Sequence, residues 1–353
     1  MSERVPAIIL GGTGYVAGEL LRLVLGHPRL QLAAMASDSQ PGEPVAAAFP
    51  HLADACGDLR YVSLAEATGV AARNARSAVL AAAPHGVSHR LIDGLLAAAA
   101  AAGARPSVVD ISADFRFADL AEYERVYGHP HGAPARAREF ACAVPEHLER
   151  APTPHVAHPG CFVTATLLAV VPLLKLGLAD GPVFVSAVTG STGAGRGPVS
   201  GTHHPLRHAD LYAYNALAHR HGAEIRALAR SAAGGEGEVA FVPHSGPFAR
   251  GIHATVQARL AKPMDTPAAT AALRDFYAGK PFVRVLDAPP RMKNVVASNY
   301  AHLSAATDGR TIAVMSVIDN LVKGAAGGAV QWMNRLLGFA ETDGLTAPAP
   351  GWT

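Results

Sequence analysis

Cysteine and charge are both scarce in this sequence. Its 353 residues include three cysteines, Cys56, Cys142 and Cys161, and no CxxC pair. Such a sparse, odd-numbered set excludes a disulfide framework and a thiolate zinc site, and it leaves room for a single reactive thiol. Charged residues make up 16% of the chain, and the net charge is +2, with Lys and Arg scattered. Neither nucleic acid nor a membrane surface is therefore predicted as a partner.

Long apolar runs are also missing. No stretch reaches the ~18 apolar residues that a membrane span needs, and the longest candidate is the alanine tract Leu95–Ala102. The start of the chain, MSERVPAIILGG, lacks the basic region, apolar stretch and cleavage site of a signal peptide. We therefore expect a cytoplasmic protein with no membrane partner.

The first 115 residues alternate strand and helix patterns. Runs typical of strands lie near Val5–Leu10 and at Gln31–Ser37, Ser77–Ala82 and Ser107–Ile111, with helix-forming stretches at 19–25 and 88–102 between them. Half of the residues are hydrophobic, and the length suits two domains. The alternation predicts βαβ units around a parallel sheet.

The pattern changes after this region. Residues 117–157 are mostly polar and read as a long excursion, and an apolar run follows from Cys161 to Leu178. Further strands are predicted at Val183–Val188, Val239–Val242, Ile252–Leu260 and Thr311–Ile318, with a helix at 224–231. Strands with inserted helices predict an α+β second domain. Residues 319–337 are predicted as helix, and the last residues as a surface tail.

A glycine-rich turn joins the first strand to the first helix. The segment 11–19 reads GGTGYVAGE. Glycines let the backbone approach a pyrophosphate, and the helix N-terminus offers free N–H groups, so a dinucleotide site is predicted; the alternative is a tight turn without a ligand. After the second strand stand Ser37, Asp38 and Ser39 without an arginine. The acidic residue favours NAD and the serines suit a 2′-phosphate, so both cofactors stay open here.

Cys161 follows a Pro-Gly turn at the start of an apolar helix, in the segment HPGCFVTAT. A helix N-terminus stabilises a thiolate, and its N–H groups can hold an oxyanion on a bound carbonyl. The alternative is a buried, inert cysteine, which is our interpretation of Cys56 and Cys142. These residues alone leave both interpretations of Cys161 open.

Histidine is abundant, with 17 residues. His204 and His208 have the spacing of helical metal ligands, but Pro205 disfavours a regular helix and no carboxylate completes a site, so no metal is predicted. The segment His219-Arg220-His221-Gly222-Ala223-Glu224 precedes a helix. Histidine is suited to proton transfer beside a cysteine nucleophile near neutral pH, although the sequence does not decide which histidine faces Cys161.

These features occur together in one known family. The chain resembles the N-acetyl-γ-glutamyl-phosphate reductases of arginine biosynthesis, which are semialdehyde dehydrogenases. The matching stretches, in order, are GGTGYVAGELLRLVLGHP, AAPHG, DISADFR, AVPE, HPGCFVTA, STGAGRG, HRHGAEI, RGI, SNY and DNLVKGAAGGAVQ. They span nearly the whole chain, and their order makes the resemblance specific.

The resemblance implies a Rossmann dinucleotide-binding domain and an α+β domain for catalysis and dimerisation. The implied boundaries are 1–157, completed by a C-terminal helix at 319–340, then 158–318, with a tail at 341–353. It also implies an NADP-dependent oxidoreductase acting on a small acyl phosphate, in a homodimer or homotetramer, with NAD still open as the cofactor.

The resemblance also assigns residues. Cys161 is the implied nucleophile and His219 the implied acid/base. Implied cofactor contacts are Gly11, Thr13, Gly14, Tyr15, Pro84, Gly193 and Asn320, with Ser37 and Ser39 as the candidates for a 2′-phosphate. Implied substrate contacts are Arg116, Ser191, Arg196, His221, Glu224 and Arg250, because guanidinium groups suit carboxylate and phosphate. A structural ion pair is the alternative for each arginine.

Three other functions are compatible with parts of the sequence. The segment GTHHP at 201–205 resembles the related lysine-biosynthesis branch, which reduces an aminoadipyl phosphate held on an acidic carrier protein. A non-catalytic NADP-binding sensor would have lost the reaction, yet Cys161 and His219 are both present. A histidine-metal hydrolase would use the cluster at 203–221.

Overall fold

The computed structural model describes residues 4–235 and 237–352. Helices of at least eight residues are α1 (Tyr15–Leu25), α2 (Leu64–Arg73), α3 (Ser88–Ala101), α4 (Leu120–Tyr127), α5 (Cys161–Lys175), α6 (Arg220–Ala233), α7 (Thr266–Phe276) and α8 (Gly327–Leu337). Single α-helical turns lie at Val45–Ala48, Ala53–Cys56 and His204–Arg207.

The chain folds into two units. Among the described residues, the first unit contains 4–142, 150–158 and 326–346, and the second contains 143–149, 159–235, 237–325 and 347–352. Compared with the predicted boundaries, 143–149 group with the second unit, and the segment that rejoins the first unit begins at Ala326 rather than at residue 319.

The first unit is built on a six-stranded parallel sheet. Its strands are β1 (Val5–Leu10), β2 (Leu30–Ala36), β3 (Ala78–Ala81), β4 (Ser107–Asp110), β5 (Phe140–Cys142) and β6 (His155–Ala157), in the order β2-β1-β3-β4-β6-β5. The residues of β3 are all buried, as a parallel sheet with covered faces requires. The predicted βαβ architecture is confirmed.

The polar region at 117–157, which was predicted as a long excursion, contains more regular secondary structure than the sequence indicated. It contains α4 and the two strands that complete the sheet edge, β5 and β6. Three-residue strands are too short to show a period of two, and this is why the pattern missed them. Part of the predicted tail is also packed, because the side-chain amide of Asn334 donates to the carbonyl of Asp343 at 2.9 Å and Leu345 is buried.

The second unit is built on a seven-stranded mixed sheet. Its strands are β7 (Ala179–Thr189), β8 (Tyr212–Ala213), β9 (Val239–Ser245), β10 (Ile252–Leu260), β11 (Val283–Val285), β12 (Ala301–Thr307) and β13 (Thr311–Ile318), in the order β11-β12-β13-β10-β7-β9-β8. The apolar helix α5 packs on β7, β10 and β13 and against α6. The predicted α+β class is confirmed, whereas β8, β11, β12 and α7 were not predicted.

The predicted helix at 319–337 is interrupted. A π-helical turn occupies Val322–Ala326, and α8 begins only at Gly327. The carboxylate of Asp319 accepts hydrogen bonds from the backbone N–H groups of Leu321 and Val322, both at 2.8 Å. These bonds, together with the Gly324 N–H bond to the Asp319 carbonyl at 2.9 Å, hold a wider turn in place of a regular helix start.

Candidate active site

A cleft of about 400 Å³ lies in the first unit beside the glycine-rich turn. Its lining includes the predicted cofactor residues Gly11, Thr13, Gly14, Ser37, Ser39 and Pro84. The cleft is formed at the carboxyl ends of β1, β2 and β3, where open parallel sheets bind dinucleotides. Tyr15 is not among the lining residues; it begins α1 with 38% of its surface exposed.

Two glycines of this turn have different physical roles. Gly11 has φ of +81°, and a Cβ there would lie 2.5 Å from the backbone N and Cα of Ala83. Only glycine fits such a position. Gly14 is the N-cap of α1, and a Cβ there would meet no atom of the described residues within 4 Å. The space before the helix N-terminus is therefore open, which suits a pyrophosphate.

Hydroxyl groups occupy the position that distinguishes NADP from NAD. The Oγ atoms of Ser37 and Ser39 lie 3.3 Å apart, and Ser37 is buried. Among the described residues that line the cleft, none is Arg or Lys. Recognition of a 2′-phosphate here would therefore depend on hydroxyl donors.

The start of α5 positions Cys161 in the second unit. Gly160 is the N-cap, and Cys161 is the first helical residue and is half-buried. The Gly160 N–H donates to Oε1 of Glu224 at 2.7 Å, and the Gly160 carbonyl accepts from the N–H of Thr164 at 2.8 Å. Glu224 is fully buried. The backbone that carries Cys161 is therefore held from both sides, at the N-terminus of the helix.

His219 stands at the start of α6 in the same unit. Its Nδ1 accepts the backbone N–H of His221 at 3.1 Å, so the neutral ring carries its proton on Nε2. The ring packs 6.1 Å from that of Phe162, the residue after Cys161, and 5.5 Å from that of Tyr214. Burial, followed by the charge of Arg220, lowers the pKa of His219 to about 4. At neutral pH this side chain is therefore an uncharged hydrogen-bond donor through Nε2.

Tyr214 was not singled out in the sequence. Burial, and next the charge of Cys161, raises the pKa of Tyr214 to about 12. Its hydroxyl is thus a neutral donor near the nucleophile. A single tyrosine in a loop carries no sequence signal that could have identified it.

The two remaining α6 residues predicted to contact substrate are buried. His221 packs its ring 6.2 Å from that of Phe162, and Glu224 holds Gly160 as described. Both lie with Cys161 and His219 in one cluster of the second unit. This placement favours an orienting role for Glu224.

Arg250 and Asn320 form hydrogen bonds with other groups of the protein. Arg250 forms a bidentate pair with Asp319, at 3.0 Å from Nε and 3.1 Å from Nη2. Asn320 accepts the N–H of Gly251 at 2.7 Å and donates to Oγ1 of Thr192 at 3.0 Å. These bonds favour the structural interpretation of Arg250. Asp319 itself was missed, although an Asp at the start of a predicted helix is a recognised N-cap signal.

The other predicted residues are spread over both units. Ser191 and Gly193 lie in the 3-10 turn Ser191–Ala194 of the second unit, followed by exposed Arg196. Arg116 is buried in the first unit, where it donates to the carbonyls of Ile111 at 2.7 Å and His158 at 3.0 Å. Arg116 therefore braces the segment that leads to Cys161.

The histidines at 203–208 lie in the second unit. His204–Arg207 forms one helical turn despite Pro205, because proline is tolerated in the first turn of a helix. In residues 4–235 and 237–352 there is no group of three or more His, Cys, Asp and Glu side chains arranged to hold a metal ion. Over the same residues, no helix is long and apolar enough to cross a membrane.

Known proteins share both the sequence and the fold of this chain. Residues 6–151 match the family model described as "Semialdehyde dehydrogenase, NAD binding domain", and residues 161–320 match "Semialdehyde dehydrogenase, dimerisation domain". The N-acetyl-gamma-glutamyl-phosphate reductase of Ectopseudomonas mendocina is 42% identical over 97% of this chain and 98% of its own length. This chain belongs to the N-acetyl-γ-glutamyl-phosphate reductase family. The reductase of Rhodospirillum rubrum is 39% identical over 98% of both chains.

Solved structures agree on the fold. Aspartate semialdehyde dehydrogenase II from Vibrio cholerae has a TM-score of 0.68 at 16% identity, over 95% of this chain and 99% of that one. An aspartate semialdehyde dehydrogenase with NADP from Candida albicans has a TM-score of 0.62 at 14% identity, over 95% and 99%. The predicted family and fold are confirmed. As a member of the N-acetyl-γ-glutamyl-phosphate reductase family, the protein is an oxidoreductase with a nicotinamide-dinucleotide-binding domain.

Proposed function

We propose that this enzyme reduces N-acetyl-γ-glutamyl phosphate with NADPH to N-acetylglutamate semialdehyde and phosphate. The names of the relatives support this substrate. The observation that carries the proposal is the anchored start of α5, where buried Glu224 fixes Gly160 and so places Cys161 at a helix N-terminus. A nucleophile held in this way suits acyl transfer from a phosphate.

The covalent step uses Cys161. Its thiolate sulfur forms a bond to the acyl carbon, and the carbon–oxygen bond to phosphate breaks, so that phosphate leaves with the electron pair. The product is a thioester on Sγ. The N–H groups of the first turn of α5 are suited to hold the negative charge that develops on the carbonyl oxygen.

The second step reduces the thioester. Gly11, Thr13, Gly14 and Pro84 are the residues proposed to hold NADPH, which when bound would supply the hydride that reduces the thioester carbon. The carbon–sulfur bond then breaks, and the sulfur recovers the electron pair. Because Nε2 of His219 carries a proton in the neutral ring, we assign it as the hydrogen-bond donor to the departing sulfur.

The test is an assay in the reverse direction. NADPH formation is followed from NADP, phosphate and N-acetylglutamate semialdehyde, with NAD in parallel. We expect phosphate-dependent activity that disappears in Cys161→Ala and persists in Cys56→Ala, a matched half-buried cysteine. A wild type that binds NADP but does not turn over would contradict the substrate assignment. Aminoadipate semialdehyde, free and carrier-bound, would then be assayed.

We also propose that the second unit mediates self-association as a homodimer or homotetramer. On β7, Val183 and Val185 are buried on the face covered by α5, whereas Phe184 on the opposite face is 56% exposed. An exposed aromatic on an uncovered sheet face fits a second copy of the chain. Light scattering should give an oligomer for wild type and a smaller species for Phe184→Glu, and a monomeric wild type would refute the proposal. The cytoplasmic location stays a prediction.

A further inference from the structure

Gly324 lies against the nucleophile. A Cβ built on Gly324 would stand 2.8 Å from Cβ and 3.1 Å from Cα of Cys161. Carbon atoms in contact prefer about 3.5–4.0 Å. The backbone of Gly324 does not have a positive φ, so conformation does not explain the glycine. The main reason is the close approach of Cys161; Cδ1 of Ile318 would lie farther from the added Cβ, at 3.3 Å.

The turn that carries Gly324 is anchored at its beginning. Besides the N–H groups of its own turn, the Asp319 carboxylate accepts the N–H of Ala297 at 2.6 Å and the guanidinium of Arg250. Asp319 is fully buried. A buried carboxylate with this many donors fixes the position of the turn.

The residue before Gly324 is anchored as well. Lys323 is fully buried, and its Nζ donates to Oε1 of Glu146 at 2.5 Å and lies 5.6 Å from the ring centre of Phe282. A lysine is buried completely only when its charge is paired. The turn therefore cannot move away from Cys161 without breaking this pair or the bonds of Asp319.

The opposite side of the contact is also held. Cys161 Cβ is fixed to the backbone of α5, whose start is tied to buried Glu224 through Gly160. We propose that Gly324 is a positioning residue for the Cys161 nucleophile: its missing side chain lets the rigid turn restrict where the thiol lies. This inference rests on the proposed function of Cys161 and extends it to a residue 163 positions later in the chain.

The size of the effect follows from the geometry. Moving two carbons from 2.8 Å to ordinary contact requires a displacement of about 1 Å. A misplacement of about 1 Å in a catalytic group can cost roughly a hundredfold in rate. For Gly324→Ala we expect kcat to fall about 100-fold while KM for the aldehyde changes less than about twofold, because binding groups do not move.

The experiment combines kinetics with a double-mutant cycle. Thermal midpoints are measured for wild type, Gly324→Ala, Cys161→Gly and the double variant, and the alkylation rate of Cys161 is measured at pH 7. We expect Gly324→Ala to lower the midpoint and slow alkylation. In the Cys161→Gly background, which lacks the Cβ at 2.8 Å but keeps the Cα at 3.1 Å and Cδ1 of Ile318 at 3.3 Å, the same substitution should lower the midpoint less. Gly94→Ala is the control, at an exposed helical glycine with no described atom within 4 Å of the added Cβ.

Each outcome decides the question. An equal loss of thermal midpoint in both backgrounds, or an unchanged kcat and alkylation rate, would overturn the inference. If Gly324→Ala alone does not fold, folding of the double variant supports it, and failure of both contradicts it. A further outcome is a wild type that is inactive in the assay while Gly324→Ala still slows alkylation and lowers the thermal midpoint as expected. That result would refute the proposed reaction and leave the positioning contact intact.

Discussion

Replacing Glu224 tests how the protein holds its nucleophile. Glu224 and Gly160 are both buried, and a 2.7 Å hydrogen bond joins them across 64 positions of sequence. Glu224→Ala removes the acceptor and leaves the Gly160 N–H without this partner. Glu224→Gln keeps an amide oxygen at the same place. The two variants therefore separate loss of the bond from loss of the charge.

The magnitude follows from the kind of bond. A hydrogen bond to a charged group contributes about 1.5–3 kcal/mol, and a neutral one about 0.5–1.5 kcal/mol. Because about 1.4 kcal/mol corresponds to a factor of ten, Glu224→Ala should lower kcat by about 10- to 100-fold. Glu224→Gln should lower it by about 3- to 10-fold.

The assay is the reverse reaction with steady-state kcat and KM, accompanied by thermal unfolding. Glu238→Ala, at an exposed glutamate of the same unit, is the control and should behave as wild type. If Glu224→Ala instead raises KM for phosphate or the aldehyde and leaves kcat unchanged, Glu224 binds substrate and the anchoring argument is wrong.

Three further predictions concern the cofactor turn, an ion pair and pH. Gly11→Ala should abolish NADP binding by calorimetry, because its Cβ would lie 2.5 Å from the Ala83 backbone; retained affinity would contradict this. Arg250→Met should lower stability by about 2–4 kcal/mol, since Asp319 loses its charge partner, whereas a higher substrate KM at unchanged stability would favour the substrate role. Burial, followed by Arg136, lowers the pKa of His155 to about 4 from 6.5. The unfolded chain then binds the proton more tightly, so up to about 3 kcal/mol of stability is lost as pH falls from 6.5 to 4. His155→Asn, which retains an acceptor for the Val108 N–H, should show a smaller loss in urea unfolding; an equal loss would exclude His155 as the cause.

Local physics explains what the sequence predicted well. The glycine-rich turn, the strands of the first 115 residues and the helix start at Cys161 depend on neighbouring residues, through backbone freedom, side-chain periodicity and capping. A short stretch of sequence is therefore sufficient to predict each of them. The motifs that carried the family resemblance lie in such windows, which is why family and fold class could be predicted before the structure.

Side-chain periodicity did not predict the elements that are short or irregular. The three-residue strands β5 and β6 cannot show alternation, and the π turn at Val322–Ala326 has the composition of an ordinary helix. For β5 and β6, hydrogen bonds to other strands decide the conformation. For the π turn, Asp319 is close in sequence, but the groups that hold Asp319, Arg250 and Ala297, are 69 and 22 positions away. A short window of sequence does not contain these partners.

The sequence by itself determined the chemical groups of the site: a cysteine at a helix N-terminus, a histidine before a second helix and a turn suited to pyrophosphate. Only the tertiary structure decided what holds them. Glu224 reaches Gly160 from 64 positions away, Arg250 pairs with Asp319 from 69 positions away, and Gly324, which follows β13, meets Cys161 at the start of α5, where α5 packs on β13. The physical reason is that these contacts depend on which loops the sheet brings together, and a residue's neighbours in sequence do not determine that.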